Sequence, residues 1–126
     1  MPVTWESRGG VLVVTTSGRY LNEEVDRALS EAAGDPAHVA GTPIVFDSRD
    51  SAAPLTKQDV AWRRDALIGL PHRGFSSRCA IVTGPQRHRY GVARMLEMTV
   101  ELSGIELRIF SDLSEALAWL THKPSR

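Results

Sequence analysis

The residues best suited to acid–base or nucleophilic chemistry follow a predicted buried strand. Asp47, Ser48 and Asp50 come directly after the apolar run PIVF. Two carboxylates can share general acid–base work, and a serine can act as a nucleophile. The G-x-S-x-G turn that exposes a nucleophile is absent, however, no histidine can be linked to Ser48, and aspartate at a strand end commonly caps the next turn. We therefore predict that the protein is not an enzyme and has no catalytic residue.

The histidines and the single cysteine do not indicate a metal site. His38, His72, His88 and His122 are scattered, and none pairs with another histidine or with cysteine at the spacing of a metal site. Cys79 lies within an apolar strand pattern, which predicts a buried structural thiol. We expect no bound metal or cofactor, and a free thiol fits a reducing cytoplasm.

The stretch AIVTGPQRHRYGVARM, residues 80–95, is a candidate for binding an anion. It runs from a predicted strand through a Gly-Pro turn to a basic loop, and then into a helix predicted to begin at Tyr90. Neither phosphate-loop signature, GxxxxGK[ST] or GxGxxG, is present. The start of a helix nevertheless offers unpaired N–H groups, to which Arg87 and Arg89 add positive charge. The alternative interpretation is a solvated basic loop without a ligand.

The second predicted helix, from Lys57 to about Leu70, is a candidate cover for a ligand. It begins at the capping-box-like sequence TKQD, and its apolar residues form no single stripe. Trp62 lies at the edge of one apolar face, which Arg63 interrupts. Pro54 precedes the helix and the sequence GLPHRGF follows it, so both ends have residues suited to hinges. Such a helix is covered on two sides by its own domain or by a second subunit, or it covers a ligand or rests on a membrane surface.

The third predicted helix, residues 90–103, has a mixed pattern. Arg94 and Glu97 are three positions apart on its polar side, which predicts a solvated ion pair. The residues predicted on the opposite, apolar side are Val92, Ala93, Met95, Leu96, Thr99 and Val100.

The elements that must position these residues alternate along the chain as β-β-α-β-α-β-α-β-α. The first two strands, 4–8 and 11–16, flank Gly9-Gly10, which accepts the positive φ of a tight hairpin. Short apolar runs at 43–47, 78–83 and 105–110 are typical of buried parallel strands. The remaining helices are predicted over 22–34, with Asn22 as N-cap, and over 112–120, capped by Ser111 or Asp112.

This order predicts a single α/β domain over residues 1–126. Its sheet is mixed and mostly parallel, with five strands, an antiparallel N-terminal edge strand and about four helices. The chain has 15 basic and 15 acidic residues, so no overall field attracts nucleic acid. The segment 63–97 is locally basic, with seven arginines and two acids. The start MPVTWESRGG lacks the features of a signal peptide, and no apolar run approaches the roughly twenty residues of a spanning helix, so we expect a cytoplasmic protein, at most peripheral to a membrane.

Several motifs carry a resemblance to a known family. The run GVARMLEMTVELSGIELRIFSDLSEALAWL, with GRYLNEE after the second strand and IVFDSRD at the third, resembles the SpoIIAA-like proteins. These are related to STAS domains and are grouped in fold with the Sec14 lipid-binding domain. The resemblance implies a sheet in sequential order, no known catalytic activity, and a role in protein association or in binding hydrophobic or amphiphilic ligands.

One property of the family does not transfer to this chain. In anti-sigma-factor antagonists of this kind, a phosphorylatable serine precedes helix 2 in an Asp-Ser-Ser-Gly setting. The corresponding sequence here is DSRDSAAPLT, in which Asp47-Ser48 and Ser51 are only loosely similar. The resemblance therefore does not extend to a phosphorylation switch.

We predict a non-enzymatic SpoIIAA-like binding module that holds a small amphiphilic or lipid-like ligand. The ligand would lie between a mobile helix 2 and the carboxyl ends of the strands, where open α/β sheets place ligands. The alternative is a regulatory protein-interaction module of the partner-switching kind, with a protein partner or a second copy of the chain. The predicted ligand-binding residues are Asp47, Trp62, Arg63, Arg87, Arg89 and Tyr90.

Overall fold

Five strands form one mixed sheet with helices on both faces. A computed structural model describes residues 2–51, 56–84 and 87–122, with the backbone alone for 87–89. The sheet order is β1-β2-β3-β4-β5, in which β1 and β2 are antiparallel and all other neighbours are parallel. The fold predicted from the sequence is confirmed. The elements are β1 (Val3–Arg8), β2 (Val11–Gly18), α1 (Asn22–Ala33), β3 (Thr42–Ser51), α2 (Lys57–Ile68), β4 (Phe75–Val82), α3 (Arg87–Glu101), β5 (Glu106–Phe110) and α4 (Leu113–Thr121).

The two faces of the sheet carry separate apolar cores. Helices α1, α2 and α3 pack on one face, over Ile44 and Phe46 of β3. Helix α4 packs on the other face, over Val45. Because successive side chains of a strand point to opposite faces, Asp47 lies on the α4 side and Ser48 on the side of the other three helices. No helix in the described ranges is long and apolar enough to cross a bilayer.

The hairpin and the third strand show what the apolar pattern could and could not predict. Gly9 and Gly10 have φ angles of 59° and 84°, which confirms the predicted tight turn. Strand β3 continues past the predicted end at Asp47 to Ser51, which pairs with Gly18. The pairing shifts by one residue between Thr15 and Ser17, and this bulge lets a polar segment without an apolar signal remain in the sheet.

The N-cap of α1 and the first residue of α3 differ from the predictions. The N-cap of α1 is Leu21 and not Asn22, because the carboxylate of Glu24 accepts a hydrogen bond from the Leu21 N–H at 2.8 Å. The Asn22 amide instead donates to Asp59 Oδ1 at 3.3 Å, which links the starts of α1 and α2. Helix α3 begins at Arg87 and not at Tyr90, so the predicted basic loop is its first turn. Arginine is a good helix former, and no glycine or proline interrupts residues 87–90.

Helix α2 is capped as predicted but ends earlier than predicted. The Thr56 hydroxyl accepts from the Asp59 N–H at 3.1 Å, and the Asp59 carboxylate accepts from the Thr56 N–H at 3.0 Å. That backbone hydrogen bond is the main cause that lowers the pKa of Asp59. The α-helix ends at Ile68 and not at about Leu70, because Pro71 restricts the residue before it. A 3₁₀ turn over Leu70–Arg73 follows.

The apolar pattern misassigned one side of α3. Met95 and Thr99 are predicted on the buried side with Leu96, but both are exposed, Met95 over half of its surface. Among the described side chains of α3, those that are fully buried are Ala93, Leu96 and Val100, so the helix is rotated away from the predicted orientation. Arg94 and Glu97 form the predicted ion pair, with 2.7 Å between Nη1 and Oε1.

The capping box of α2 gives a testable contribution to stability. Replacing Thr56 with Ala removes the acceptor of the Asp59 N–H, and we expect the free energy of unfolding to fall by about 1 kcal/mol in urea titrations. Gln58→Ala, at an exposed position in the same turn, is the matched control and should change it little. An unchanged urea midpoint for Thr56→Ala would contradict this assignment of the cap.

Candidate functional site

A small apolar cavity lies between α2 and the sheet. Its volume is about 60 Å³, and it is close to the carboxyl ends of β2, β3 and β4. A second cavity of about 30 Å³ is next to it and shares Ser48, Arg63, Ile81 and Leu96 with the first. This is the region predicted to hold a ligand, since ligands of open parallel sheets bind beyond the strand ends. The remaining lining residues of the larger cavity are Thr16, Tyr20, Val25, Leu29, Phe46, Trp62, Ala66 and Leu67.

The guanidinium of Arg63 is the principal charged group of this site. It lies over the Tyr20 ring, with Cζ 5.2 Å from the ring centroid, and Nη2 donates a hydrogen bond to the Tyr20 hydroxyl. Its Nε is buried and has no hydrogen-bond partner within the described part of the chain. A buried donor without a partner is costly, so an acceptor at this point would stabilise the site.

Arg78 also has a buried Nε without a hydrogen bond, but its guanidinium has partners that the Arg63 guanidinium lacks. The Arg78 Nε lies 3.2 Å from Glu106 Oε1, so Arg78 has an ion-pair partner. Arg78 also stacks on Trp119 and donates from Nη1 to the His122 carbonyl at 2.9 Å. For Arg63, by contrast, no described carboxylate oxygen lies within 4 Å of the guanidinium. The positive group of the cavity therefore has no ion-pair partner among the described residues, although its charge contributes to the lowered pKa of Asp59, four residues earlier in α2.

Asp47 does not join Trp62 and Arg63. It is buried on the α4 side of the sheet, opposite Val82 in the neighbouring strand. Arg49 holds it in a two-point ion pair, with Nε 2.9 Å from Oδ1 and Nη2 2.8 Å from Oδ2. The hydrogen bond to Asp47 raises the pKa of Arg49. The Asp47 carboxylate is therefore already paired, and the sheet separates it from the cavity.

The other predicted site residues lie at the start of α3. Tyr90 is half exposed and does not line the cavity. Arg87 and Arg89 belong to the first helical turn, and their side chains lie outside the described atoms. The hinge predicted before α2 at Pro54 also lies outside the described residues. Of the six predicted positions, the described structure thus brings together Trp62 and Arg63.

Three polar residues of the site were missed by the sequence analysis. Tyr20, which follows β2, was noted only within a family motif. Its position after the carboxyl end of a strand was the signal that marked it for the site. The Thr16 hydroxyl lies 2.6 Å from the Ser51 hydroxyl, and both are buried. Ser48, considered earlier only as a nucleophile, lines the cavity and donates from Oγ to the Val82 carbonyl at 3.0 Å.

The two candidate nucleophiles near the site, Ser48 and Cys79, are hydrogen-bonded or buried. The Ser48 hydroxyl is engaged with a backbone carbonyl, and Cys79 is fully buried, as predicted. Burial raises the pKa of Cys79 to about 12, so its thiol stays protonated at neutral pH. The Nε2 atom of His38 lies 3.0 Å from the carbonyl oxygen of Gly74. Among the described side chains, no three His, Cys, Asp or Glu are placed to hold a metal ion.

Comparison with known proteins identifies relatives of this chain. A family model described as SpoIIAA-like matches residues 11–121. Among solved structures, the chain is similar to an uncharacterised protein from Shewanella loihica PV-4 with a SpoIIAA-like fold. The two are 20% identical, the match covers 94% of this chain and 91% of the other, and the TM-score is 0.58. No protein with a curated description matches significantly. At this identity the structural match supports the fold alone.

The buried thiol provides a test of the packing beneath the site. With a pKa of about 12 and no exposure, Cys79 should react with a disulfide reagent such as DTNB at pH 8 at least roughly 100-fold more slowly in the folded protein than in the unfolded protein. A Leu102→Cys variant, with the thiol at an exposed position, should react at once. Rapid native-state labelling of Cys79 would contradict the described core.

Proposed function

The chain belongs to the SpoIIAA-like family, and we propose that it is a non-enzymatic member that binds a small anionic amphiphile between α2 and the sheet. The family match confirms the resemblance predicted from the motifs. The observation that carries the proposal is the buried Nε of Arg63, which has no described hydrogen-bond partner at the edge of an apolar cavity. A carboxylate or phosphate oxygen is the acceptor that a guanidinium binds most strongly.

The lining of the cavity suits an apolar tail next to that charge. Leu29, Phe46, Leu96 and Trp62 present aliphatic and aromatic surface to the cavity. The polar groups include the Arg63 guanidinium and the hydroxyls of Tyr20, Thr16 and Ser48, of which Arg63 and Tyr20 are hydrogen-bonded to each other. A mostly apolar pocket with a few convergent polar groups is the usual composition of a small-molecule site. An amphiphile with an anionic head matches this distribution.

The size of the cavity requires that α2 move to admit such a ligand. The cavity measures about 60 Å³, whereas small-molecule pockets hold about 300 to 1,000 Å³. Within α2 only Leu67 is fully buried, whereas α1 buries four residues. A helix with little buried surface costs less to displace, and elements that move in binding are drawn from such regions. Helix α2 is therefore the cover that opens in this proposal.

The partner-switching alternative has less support in this chain. It depends on a serine before α2 that a kinase can reach. Ser51 is buried and shares a hydrogen bond with Thr16, while Ser48 is partly buried and bound to the Val82 carbonyl. Neither described serine is presented for modification. Ligand binding is therefore the function that we propose first.

Binding is tested with two amphiphiles that have similar alkyl tails and opposite charge. We expect calorimetric titration with dodecanoate, kept below its micellar concentration, to give saturable binding of one molecule per chain, and dodecyltrimethylammonium to bind at least roughly tenfold more weakly. Arg63→Gln should weaken dodecanoate binding by about tenfold or more, because it removes the charged donor.

Arg64→Gln is the matched control, since Arg64 lies next to Arg63 but pairs with Asp65 at 3.2 Å and does not line the cavity. Its dodecanoate affinity should equal that of the wild type. Circular dichroism would establish that both variants are folded. Equal affinity for the two detergents, or unchanged binding by Arg63→Gln, would overturn the proposal.

The movement of α2 is tested by hydrogen exchange. In the free protein we expect the amides of α2 to exchange faster than those of α1 and α3, because α2 buries less surface. Dodecanoate should increase protection across residues 57–68. If α2 is as protected as the other two helices and dodecanoate changes nothing, the mobile cover is wrong and a protein-interaction role becomes the better proposal.

A further inference from the structure

Helix α3 has an apolar stripe on the side opposite its buried residues. Six large apolar side chains are exposed in the described structure, and four of them belong to α3 or to the residue that follows it: Tyr90, Met95, Met98 and Leu102. The last three form the stripe, and their exposed fractions are 50%, 67% and 93%. A contiguous exposed apolar surface of this kind marks an interaction site more often than scattered apolar residues do.

The stripe has the spacing of a helix-pairing seam. Gly91, Met95, Met98 and Leu102 follow one another at intervals of four, three and four residues, which is the a/d spacing of a coiled coil. At 100° per residue these positions lie within about 60° of one another on the helix. Because Ala93, Leu96 and Val100 face the core, the stripe points away from the sheet.

We propose that this stripe binds the same stripe of a second copy, so that two α3 helices pack antiparallel in a two-fold symmetric dimer. An antiparallel arrangement centred between Met95 and Met98 places Met95 of each copy against Met98 of the other copy. It also places Leu102 against Gly91. A side chain built on Gly91 would meet no atom within 4 Å, so there is room for an approaching leucine. The seam is therefore complementary to itself, as a two-fold interface requires.

The charges beside the stripe favour this arrangement. Arg94 and Glu101 lie on the same flank of the seam, one near each end of the paired segment. In the antiparallel dimer, Arg94 faces Glu101 of the second copy, and the two-fold axis repeats the pair. In a parallel pair, Arg94 would instead face Thr99, and Gly91 would face Gly91. The sequence of charges thus selects the antiparallel orientation.

The same charges disfavour a membrane as the occupant. The charges that border the stripe are one of each sign, Arg94 and Glu101, and the anionic surface of a bilayer attracts the arginine but repels the glutamate. A second copy of the chain supplies a glutamate for the arginine and an arginine for the glutamate, so it complements both border charges.

The dimer is tested by sedimentation equilibrium with the intact chain. One pair of helices buries less than the roughly 800 Å² per partner of a standard interface, so we expect a weak dimer. The mass should rise from the 13.8 kDa monomer at about 1 µM toward twice that value above about 100 µM. Met98→Glu places charge in the centre of the seam and should keep the protein monomeric throughout.

A charge exchange tests the orientation. Arg94→Glu and Glu101→Arg should each weaken association by about threefold to tenfold, because like charges then face each other, and the double variant should restore it. Leu21→Glu, an equivalent change at an exposed position outside α3, is the control and should leave the mass unchanged.

Three outcomes would overturn the proposal. The first is a monomeric wild type at every concentration, and the second is a dimer that Met98→Glu does not affect. The third is a monomer that sediments with phosphatidylglycerol vesicles in a Met98-dependent way, which would identify a membrane as the occupant. Circular dichroism of each variant would separate lost association from lost folding. This inference does not rest on the proposed ligand, since dodecanoate binding by Arg63 is measured separately from mass.

Discussion

The central strands must be covered on both faces, and the rest of the structure depends on this constraint. Ile44 and Cys79 face one side of the sheet, Val45 and Ala80 face the other, and all four are completely buried. Parallel strands of this kind bury both faces because their crossover helices lie on them. Here the cover is unequal, since α4 alone protects one face while three helices share the other. Within the shared face, the cover is least complete under α2, which buries only Leu67 fully.

The incomplete cover explains why the site lies beneath α2. Helix α1 is held by four buried residues, and α3 by a buried side that reaches from Ala93 to Val100. Helix α2 lies near α3 and the 3₁₀ turn and buries only Leu67 fully. The gap beneath it is apolar, yet it contains the guanidinium of Arg63. A buried guanidinium Nε without a hydrogen-bond partner beside an apolar gap is unfavourable in the free protein and becomes favourable when an anionic group enters.

The sequence predicted the architecture well because periodicity and capping are local signals. Alternating apolar runs, the Gly9-Gly10 turn and the Thr56 capping box each involve residues within a few positions of one another. The contact between Tyr20 and Arg63 joins residues 43 positions apart, and no local pattern marks it. The prediction of which side of α3 is buried failed for a different reason. Met95 and Leu96 are both apolar, and hydrophobicity alone does not show which of two adjacent apolar sides meets the sheet.

Helix α3 separates the two surfaces to which we assign a role. Its inner side contributes Val92, Ala93 and Leu96 to the cavities, and its outer side carries Met95 and Met98. A helix anchored by its buried residues can serve as a fixed wall for the ligand while its outer side contacts a second copy. The element that must move for the ligand is α2, whose cap and 3₁₀ turn lie outside the seam of α3. Opening of the cavity and pairing of α3 therefore use different elements, and each can occur without disrupting the other.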